Sequence, residues 1–438
     1  MPGSTITTTH DGWPLLDLDN YIEATPAYTQ AMADKLRGSD AAVAVAAAER
    51  AEAAAAIAQQ PTYLVNNLVG GGIDETSKVQ AAIDWAAPRG IPIILPPGTF
   101  RVRDLTIPSY GCQISGSSQG ATILAPAAGA QWLLRTRSYC IIRDLQMFLD
   151  GQDIIGLDVR TTVRGLVDNL YIYSTGSANG GTGIRVSGTA AGAQSHANRL
   201  TNCMIQRVGI GIHGSAWCYD TEMLNIWVGE CATGIRFSDG GCMWTNVHVW
   251  GCTGNGITLF GVGGGNRFVN MYIETNQGYG CFADSTNTTG NVFIGCRFWA
   301  NKLGGLHVIR GKHAQILGCQ FDDNEEVGLT FFDHTDAVVS GCAMYDTREG
   351  AARKQKRGVQ SNGASNRITI VGCNIDPAAH TTGEAYALVG SQNRVESNMF
   401  GTIDRHGFYG TTPIAKQTGV PVTAAGIHAA LVNLGLIS

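Results

Sequence analysis

The chain repeats one pattern of apolar and polar positions between residues 156 and 360. Nine times a glycine precedes an alternating apolar pair, and about fourteen residues later a small residue precedes a second apolar pair; successive repeats mostly lie 21 to 25 residues apart. A fixed period that contains alternating, strand-like segments is typical of a β-solenoid. The small residues, taken as position zero of each coil, are Asn169, Asn202, Asn225, Asn246, Asn270, Gly295, Gly318, Gly341 and Gly372.

Each repeat predicts two or three short strands separated by Gly, Asn or Asp, whereas a helical solenoid would need an apolar period of 3.6 residues. Asn276, Asn301 and Asn324 fall six residues after position zero of their coils. Because Asn tolerates a left-handed backbone, they predict a stacked ladder at a tight turn. Side chains alternate along a strand, so the apolar residues at positions +1 and +3 point inward, and those at +2 and +4 point outward. The outward pairs are Trp227 and Gly229, His248 and Trp250, Tyr272 and Glu274, Arg297 and Trp299, Gln320 and Asp322, Ala343 and Tyr345, and Asn374 and Asp376.

These outward positions are rich in aromatic residues for a solvent-facing strip. Aromatic rings cover the apolar faces of sugars, and interleaved carboxylate, guanidinium and amide groups meet the sugar hydroxyls. The strip therefore predicts a polysaccharide-binding surface, and the alternative is that it packs against a neighbouring subunit. The candidate substrate-binding residues are Trp227, His248, Trp250, Tyr272, Arg297, Trp299, Gln320 and Tyr345.

Two carboxylates of the strip are candidates for catalysis. Glu274 and Asp322 share position +4 two coils apart, and strands ~4.8 Å apart place their backbones roughly 10 Å from each other. Inverting glycosidases hold two carboxyl groups about 6.5–9.5 Å apart. We hypothesise that Glu274, which has aromatic neighbours, is the general acid and that Asp322 is the base, supported by Asp323. The alternatives are a solvated acidic turn and a metal-assisted lyase site in which Asp323 and Asp346 lie on adjacent coils near Arg297.

The cysteines follow the repeat. Five of the twelve occupy position +1, where side chains point inward: Cys203, Cys296, Cys319, Cys342 and Cys373. A cysteine in an apolar, inward column behaves as a small buried hydrophobic residue, so we predict a stack of thiols and no disulfides. No Cys or His spacing fits zinc, and we expect no metal and no cofactor.

Charge and hydropathy exclude several partners. The net charge of −5 predicts no nucleic-acid binding, and no apolar run is long enough to insert in a membrane. Residues 1–14 lack the basic start and apolar core of a signal peptide.

The insertion at 187–197 predicts no chemistry. A 31-residue gap between Gly341 and Gly372 predicts an exposed loop, or alternatively a contact with an anionic glycan, through Arg348, Arg353, Lys354, Lys356 and Arg357.

A motif precedes the repeats. Asp74 or Thr76 is suited to cap a helix from Ser77 to Ala87, after which a buried strand over 91–95 is expected. The run Gly72-Ile73-Asp74-Glu75-Thr76, followed by Leu95-Pro96-Pro97-Gly98-Thr99-Phe100, resembles the opening of the pectate-lyase-like right-handed parallel β-helix family, which includes many bacteriophage tailspikes. That family usually has Gly-Asp-Gly where this chain has Gly70-Gly71-Gly72.

The resemblance implies an all-β right-handed parallel β-helix over residues 65–400, assembled as a homotrimer. It implies a virion tail protein that attaches to phage tail or baseplate proteins through its N-terminal region. Its task would be to bind a host surface glycan and, as a depolymerase, to degrade it. The alternatives are a receptor-binding or structural tail protein without activity and a secreted polysaccharide-degrading enzyme.

The two ends complete the expected organisation. Residues 1–64 form an N-terminal attachment region, with a helix over 28–60 that is either a coiled coil between subunits or a lone helix. Residues 401–438 form a C-terminal segment for oligomerisation or capping. Its run 407–417 and the helical spacing over 423–437 are similar to the endings of many phage tail proteins.

Overall fold

The computed structural model describes residues 63–65, 68, 70–108, 111–176, 180–238, 240–261, 263–396, 405–406, 414–415 and 423–433. Most of these residues form one solenoid whose coils carry parallel strands, as the repeat predicts. The predicted helix over 28–60 and most of the segment 401–438 lie outside the described residues. The three domain boundaries therefore stay predictions.

Each regular coil has three strands, which we call faces. The first face precedes position zero and the second follows it, and both belong to a sheet that has 22 strands among the described residues. Its strands are Tyr63–Leu64, Ile93–Leu95, Gly98–Val102, Gln113–Gly116, Thr122–Pro126, Ile141–Phe148, Leu166–Tyr173, Arg199–Thr201, Met204–Gln206, Glu222–Gly229, Met243–Trp250, Arg267–Val269, Tyr272–Glu274, Val292–Ile294, Arg297–Trp299, Gln315–Leu317, Gln320–Asp322, Val338–Ser340, Ala343–Tyr345, Thr369–Val371, Asn374–Ile375 and Arg394–Glu396.

The third face is a separate sheet with 12 strands in the described part of the chain. They are Leu105–Thr106, Trp132–Arg135, Ile155–Arg160, Thr182–Ser187, Ile210–Gly214, Thr233–Ser238, Ile257–Phe260, Tyr279–Thr289, Gly304–Lys312, Val327–Thr335, Arg357–Asn362 and Tyr386–Ala387. Two small pairs lie outside these sheets, namely Ser195–His196 with Cys218–Tyr219 and Arg405–His406 with Ile414–Ala415.

Position zero is a left-handed residue between the first and second faces. The backbone φ is 54° at Asn225 and 51° at Asn270, and it is 60° at Gly295 and Gly318. Most side chains disfavour this conformation, whereas Gly adopts it freely and Asn tolerates it. The change from Asn to Gly along the chain therefore preserves one backbone geometry.

The interior is filled by inward side chains that stack from coil to coil. The rings of Phe298 and Phe321 lie 4.9 Å apart with an interplanar angle of 3°, and those of Phe268 and Phe293 lie 4.5 Å apart. All twelve cysteines are buried and outside any disulfide, which confirms the predicted thiols. Burial raises the pKa of the Cys203 thiol to about 12, so this group stays protonated and unreactive at neutral pH.

A buried asparagine ladder runs beneath the turn after the second face. The backbone N and Nδ2 of Asn276 donate to Asn301 Oδ1 at 3.2 and 2.8 Å, and those of Asn301 donate to Asn324 Oδ1 at 3.1 and 3.2 Å. Asn324 donates in the same way to Gln355 Oε1. The predicted ladder is confirmed, but its expected left-handed backbone is wrong.

The positive φ values of this turn lie one residue earlier than predicted, at Thr275, Ala300 and Asp323. The asparagines are used for their amides instead, because each one is placed to bond a backbone N–H and a neighbouring side chain. Buried polar groups must be paired, and a carboxamide has both a donor and an acceptor to offer.

The described residues include two α-helices. The first is Thr76–Ala86, whose Val79, Ala82 and Ile83 are buried. Its N-cap is Glu75 and not the predicted Asp74 or Thr76, while Asp74 Oδ1 accepts from Thr76 N at 3.0 Å. A 3₁₀ turn, Ala87–Arg89, then ends at Gly90, where φ is 66°. The second helix is Ala424–Asn433. Among the described residues, no helix has the length and apolarity to cross a membrane.

Candidate functional site

The outward residues of the second face are in register, as predicted from the repeat. His248 lies opposite Tyr272, which lies opposite Arg297, and the next coil adds Gln320. In the neighbouring row, the order is Trp250, Glu274, Trp299, Asp322 and Tyr345. We call these residues, together with Trp227, the aromatic strip.

Three rings of the strip pack against one another, and one pair of them stacks across adjacent coils. The His248 and Tyr272 rings are 5.0 Å apart at an interplanar angle of 15°, and the Trp250 ring is 4.8 Å from His248. Trp227 is 42% exposed, and most other members of the strip are half-buried. The strip therefore presents partly exposed ring surface over several consecutive coils.

Glu274 is held by two polar neighbours in this stack. His248 Nε2 lies 2.9 Å from Glu274 Oε1. Burial and the hydrogen bond to Glu274 raise the pKa of Tyr272 to about 12. The phenol therefore stays protonated and donates a hydrogen bond to the carboxylate. The predicted general acid is thus the acceptor for two groups that come from adjacent coils.

Asp322 is bound by a guanidinium. Arg297 donates to it twice, from Nη2 to Oδ2 at 2.7 Å and from Nε to Oδ1 at 3.2 Å, and the Asp322 side chain is 1% exposed. Burial raises the pKa of Asp322, while Arg297 acts in the opposite direction. The sequence predicted an outward, accessible base, whereas the structure covers this carboxylate with Arg297. The catalytic roles of Glu274 and Asp322 stay predictions.

The Asp323 carboxylate is bonded by groups other than Asp322, and its charge, after burial, contributes to the raised pKa of Asp322. Asp323 Oδ2 accepts from Trp299 Nε1 at 2.9 Å, and its Oδ1 accepts from Thr347 N at 2.6 Å. This carboxylate therefore fixes the Trp299 ring to the turn of the next coil. Gln320 Nε2 similarly donates to the Tyr345 hydroxyl at 2.5 Å, so the end of the strip is tied together by side chains.

The strip begins earlier than the sequence analysis proposed. Tyr171 and Tyr173 stack at 4.9 Å, Phe148 lies 5.0 Å from Tyr173, and the Tyr171 hydroxyl is 3.1 Å from Gln206 Oε1. These residues share the register of the strip through Met204 and Trp227. The same position numbering, applied from Asp144 and Asn169, would have found them.

The cationic loop between Gly341 and Gly372 is occupied by internal contacts. Arg348 bonds Asp346, Lys354 bonds Glu325 at 2.7 Å, and Arg357 bonds Glu384 at 2.6 Å. Lys356 pairs with Glu326, and Arg353 donates to the Arg348 carbonyl oxygen at 3.0 Å. The loop's cations are therefore neutralised or tied to the backbone, which favours the predicted exposed loop over an anion site.

Comparison with known proteins defines the handedness of the solenoid. Residues 138–321 match the family model described as the right handed beta helix region. The chain is a right-handed parallel β-helix. No curated protein matches this sequence.

Solved structures share this β-helix at low sequence identity. The A-module of mannuronan C-5 epimerase AlgE6 from Azotobacter vinelandii is 17% identical, with a TM-score of 0.60, and the match covers 78% of this chain and 99% of that one. Tailspike protein 3 of bacteriophage CBA120 is 14% identical (TM-score 0.53; 82% and 65% covered). The catalytic unit of the GH87 α-1,3-glucanase from Streptomyces thermodiastaticus is 14% identical (TM-score 0.55; 81% and 72% covered).

Proposed function

We propose that this β-helix is a phage tail protein of the tailspike type that binds a bacterial cell-surface polysaccharide along the aromatic strip. The observation that carries the proposal is the strip itself, in which partly exposed rings stand in register with Glu274, Arg297 and Gln320. Rings and hydrogen-bonding groups at a spacing of ~4.8 Å suit an extended chain of sugars.

The charges of the strip favour a glycan over a neighbouring subunit. The cores of protein interfaces are depleted in charged residues, because a covered charge must be paired or pay for its desolvation. The side chains of Arg297 and Glu274 are 41% and 16% exposed, and both belong to the strip. Sugar hydroxyls would bond the donor and acceptor positions of Arg297 and Glu274 that their neighbours in the strip leave open, whereas a packed apolar surface would not.

The comparisons support the proposal through the fold that they share. The epimerase and the glucanase are named for polysaccharide substrates, and the phage protein is a tailspike. The homotrimer, the attachment to a phage tail through residues 1–64 and the location in the virion tail belong to the same proposal. The oligomer is tested by light scattering, where a mass other than three chains would contradict the trimer.

Degradation of the bound polysaccharide is a second candidate, favoured by one observation. Trp299 lies opposite Glu274 on one side and opposite Asp322 on the other, so a ring separates the two carboxylates. Arg297 would have to release Asp322 before that carboxylate could activate a water. We therefore place binding first and cleavage second.

Product analysis separates these functions. The purified protein is incubated with envelope polysaccharide, and binding and chain length are followed together. Binding without shortening supports a receptor-binding protein, shorter chains with saturated reducing ends indicate hydrolysis, and unsaturated ends indicate elimination. The Glu274→Gln variant should abolish any hydrolysis and keep the fold. Absence of binding to envelope polysaccharides of the host would contradict the proposal.

A further inference from the structure

A row of arginines crosses the third face, away from the aromatic strip. Arg135 lies opposite Asp158, which lies opposite Arg185, and the next two coils add His213 and Arg236. Asp158 is fully buried, and it accepts from Arg135 at 2.7 Å and from Arg185 at 2.8 Å. One carboxylate thus fixes two guanidinium groups of the row and leaves the row with a net positive charge.

A cleft opens where this row meets the insertion at 187–197. It has a volume of about 380 Å³ and is lined by Arg135, Arg137, Arg160, Thr161, Thr189 and Ala193. A second cleft of about 370 Å³ shares Arg137, Thr161 and Ala193 and adds Ser138 and His196. Neither lining contains an acidic residue.

The insertion forms a fixed wall of the cleft. Ser195 Oγ lies 3.2 Å from the Val159 and Thr162 carbonyl oxygens, and Asn198 Nδ2 donates to Thr162 O at 2.8 Å. His196 N also donates to Thr162 O, at 3.0 Å. These bonds tie the C-terminal end of the small-residue loop to the solenoid, and at its other end Gly188 N donates to Ala216 O at 3.1 Å, so the cleft exists before any ligand arrives.

Arg137 and Arg160 are the groups that this cleft offers to a ligand. Both are exposed, and no ion pair or side-chain hydrogen bond joins either one to another described residue. Arg135 is stacked over Trp132, with its guanidinium carbon 3.5 Å from the ring centre. The cations of the loop after Gly341 are bonded within the chain, whereas these two arginines have no such bond among the described residues. This difference indicates that they face an external anion.

We propose that this cleft binds the carboxylate of an acidic sugar, such as a hexuronate, in a charged polysaccharide. A planar guanidinium matches a carboxylate in a paired, charge-assisted geometry, and two of them side by side select for such a group. The cleft would add selectivity for acidic glycans to the general sugar binding of the strip. The inference rests on the proposed polysaccharide-binding function for its choice of a sugar as the carrier of the anion.

The test is calorimetric titration of the full chain with oligogalacturonate and with a neutral dextran oligomer of equal length. The combined Arg137→Gln and Arg160→Gln variant should weaken oligogalacturonate binding at least about tenfold and leave dextran binding unchanged. Raising the salt concentration should weaken only the acidic ligand, since exposed charges are screened over ~10 Å at 0.1 M salt. Arg164→Gln is the matched control, because Arg164 is exposed nearby and does not line the cleft.

Two results would overturn the proposal. One is equal oligogalacturonate binding by wild type and the double variant. The other is displacement of oligogalacturonate by inorganic phosphate at equal ionic strength and equal charge concentration, which would assign the cleft to oxyanions in general. A third outcome would separate the two proposals. If oligogalacturonate binding depends on the two arginines but not on the residues of the aromatic strip, the cleft is a carboxylate site and the strip is not the glycan surface.

Discussion

The aromatic strip lies on the second face and the asparagine ladder in the turn that follows it, with the same period, yet their side chains are satisfied in opposite ways. In the ladder, Asn276, Asn301 and Asn324 are at most 1% exposed and bond to one another and to the backbone. In the strip, rings stack and charges pair, but Trp227 and its neighbours keep exposed surface.

This difference separates support from binding in a solenoid. In the ladder the buried amides are hydrogen-bonded to one another, so a substitution there should lower the stability of the fold. In the strip the ring faces stay exposed, so a substitution there should lower the affinity for a ligand. The predictions below test whether the two regions divide in this way.

The largest effect is expected from Asn301→Ala. In this buried site the substitution removes the Oδ1 acceptor of Asn276 N and Asn276 Nδ2, and it removes the Nδ2 group that donates to Asn324 Oδ1. Unpaired buried groups cost about 1–3 kcal/mol each, so the free energy of unfolding should fall by about 3 kcal/mol or more. Urea denaturation measures it.

Asn270→Gly is the control for that experiment. Asn270 is exposed at position zero with φ of 51°, and its Nδ2 donates to Asn246 Oδ1 at 2.7 Å. Glycine accepts this backbone, so the loss should stay below about 1 kcal/mol. Equal losses for Asn301→Ala and Asn270→Gly would contradict the supporting role of the buried ladder.

A smaller effect, on affinity alone, is expected from Trp227→Ala. Removing the exposed ring takes away sugar-stacking area worth about 1.5–3 kcal/mol, so polysaccharide binding should weaken tenfold or more while the denaturation midpoint hardly moves. Trp85→Ala is the control, because Trp85 is 44% exposed on the helix Thr76–Ala86 and does not belong to the strip. An equal loss of affinity for Trp85→Ala would show that the effect is not specific.

The smallest effect concerns His334, a buried side chain that, unlike the amides of the ladder, is not fully hydrogen-bonded. His334 is 1% exposed, its Nδ1 has no hydrogen-bond partner in the described part of the chain, and burial lowers its pKa to about 4. The fold favours the neutral form of His334. The stability that this preference contributes is present above pH ~6.5 and is lost as the pH falls through about 4.

Denaturation at a series of pH values between 7 and 5.5 tests this assignment. Wild type should lose about 1 kcal/mol more than the His334→Gln variant over that interval, because glutamine does not bind a proton there. Parallel pH curves for the two proteins would show that His334 does not titrate in this way.

The sequence pattern predicted the solenoid and the register of the strip because both follow from a fixed period and from alternation. It predicted Tyr272, Arg297 and Gln320 as neighbours, and the structure places them on consecutive coils. It did not identify Phe148 or Tyr171, because the outward pairs begin at Trp227 although Asn169 is already a position zero of the same repeat.

Features that depend on three-dimensional contacts were beyond the pattern. Alternation placed Asp322 outward, but nothing in the spacing shows that Arg297 lies over it. The insertion at 187–197 offered only small residues, and its role as the wall of a basic cleft depends on Ser195 and Asn198 anchoring it. Arg137 and Arg160 are 23 residues apart in sequence, and one coil brings them to the same cleft.

The most direct measurement is a crystal structure of the full chain with an oligosaccharide prepared from envelope polysaccharide that the protein binds. The account predicts sugar rings stacked on the aromatic strip between Trp227 and Tyr345, with hydroxyls bonded to Glu274 and Arg297. A strip covered by a second copy of the chain, with the sugar bound elsewhere, would contradict it.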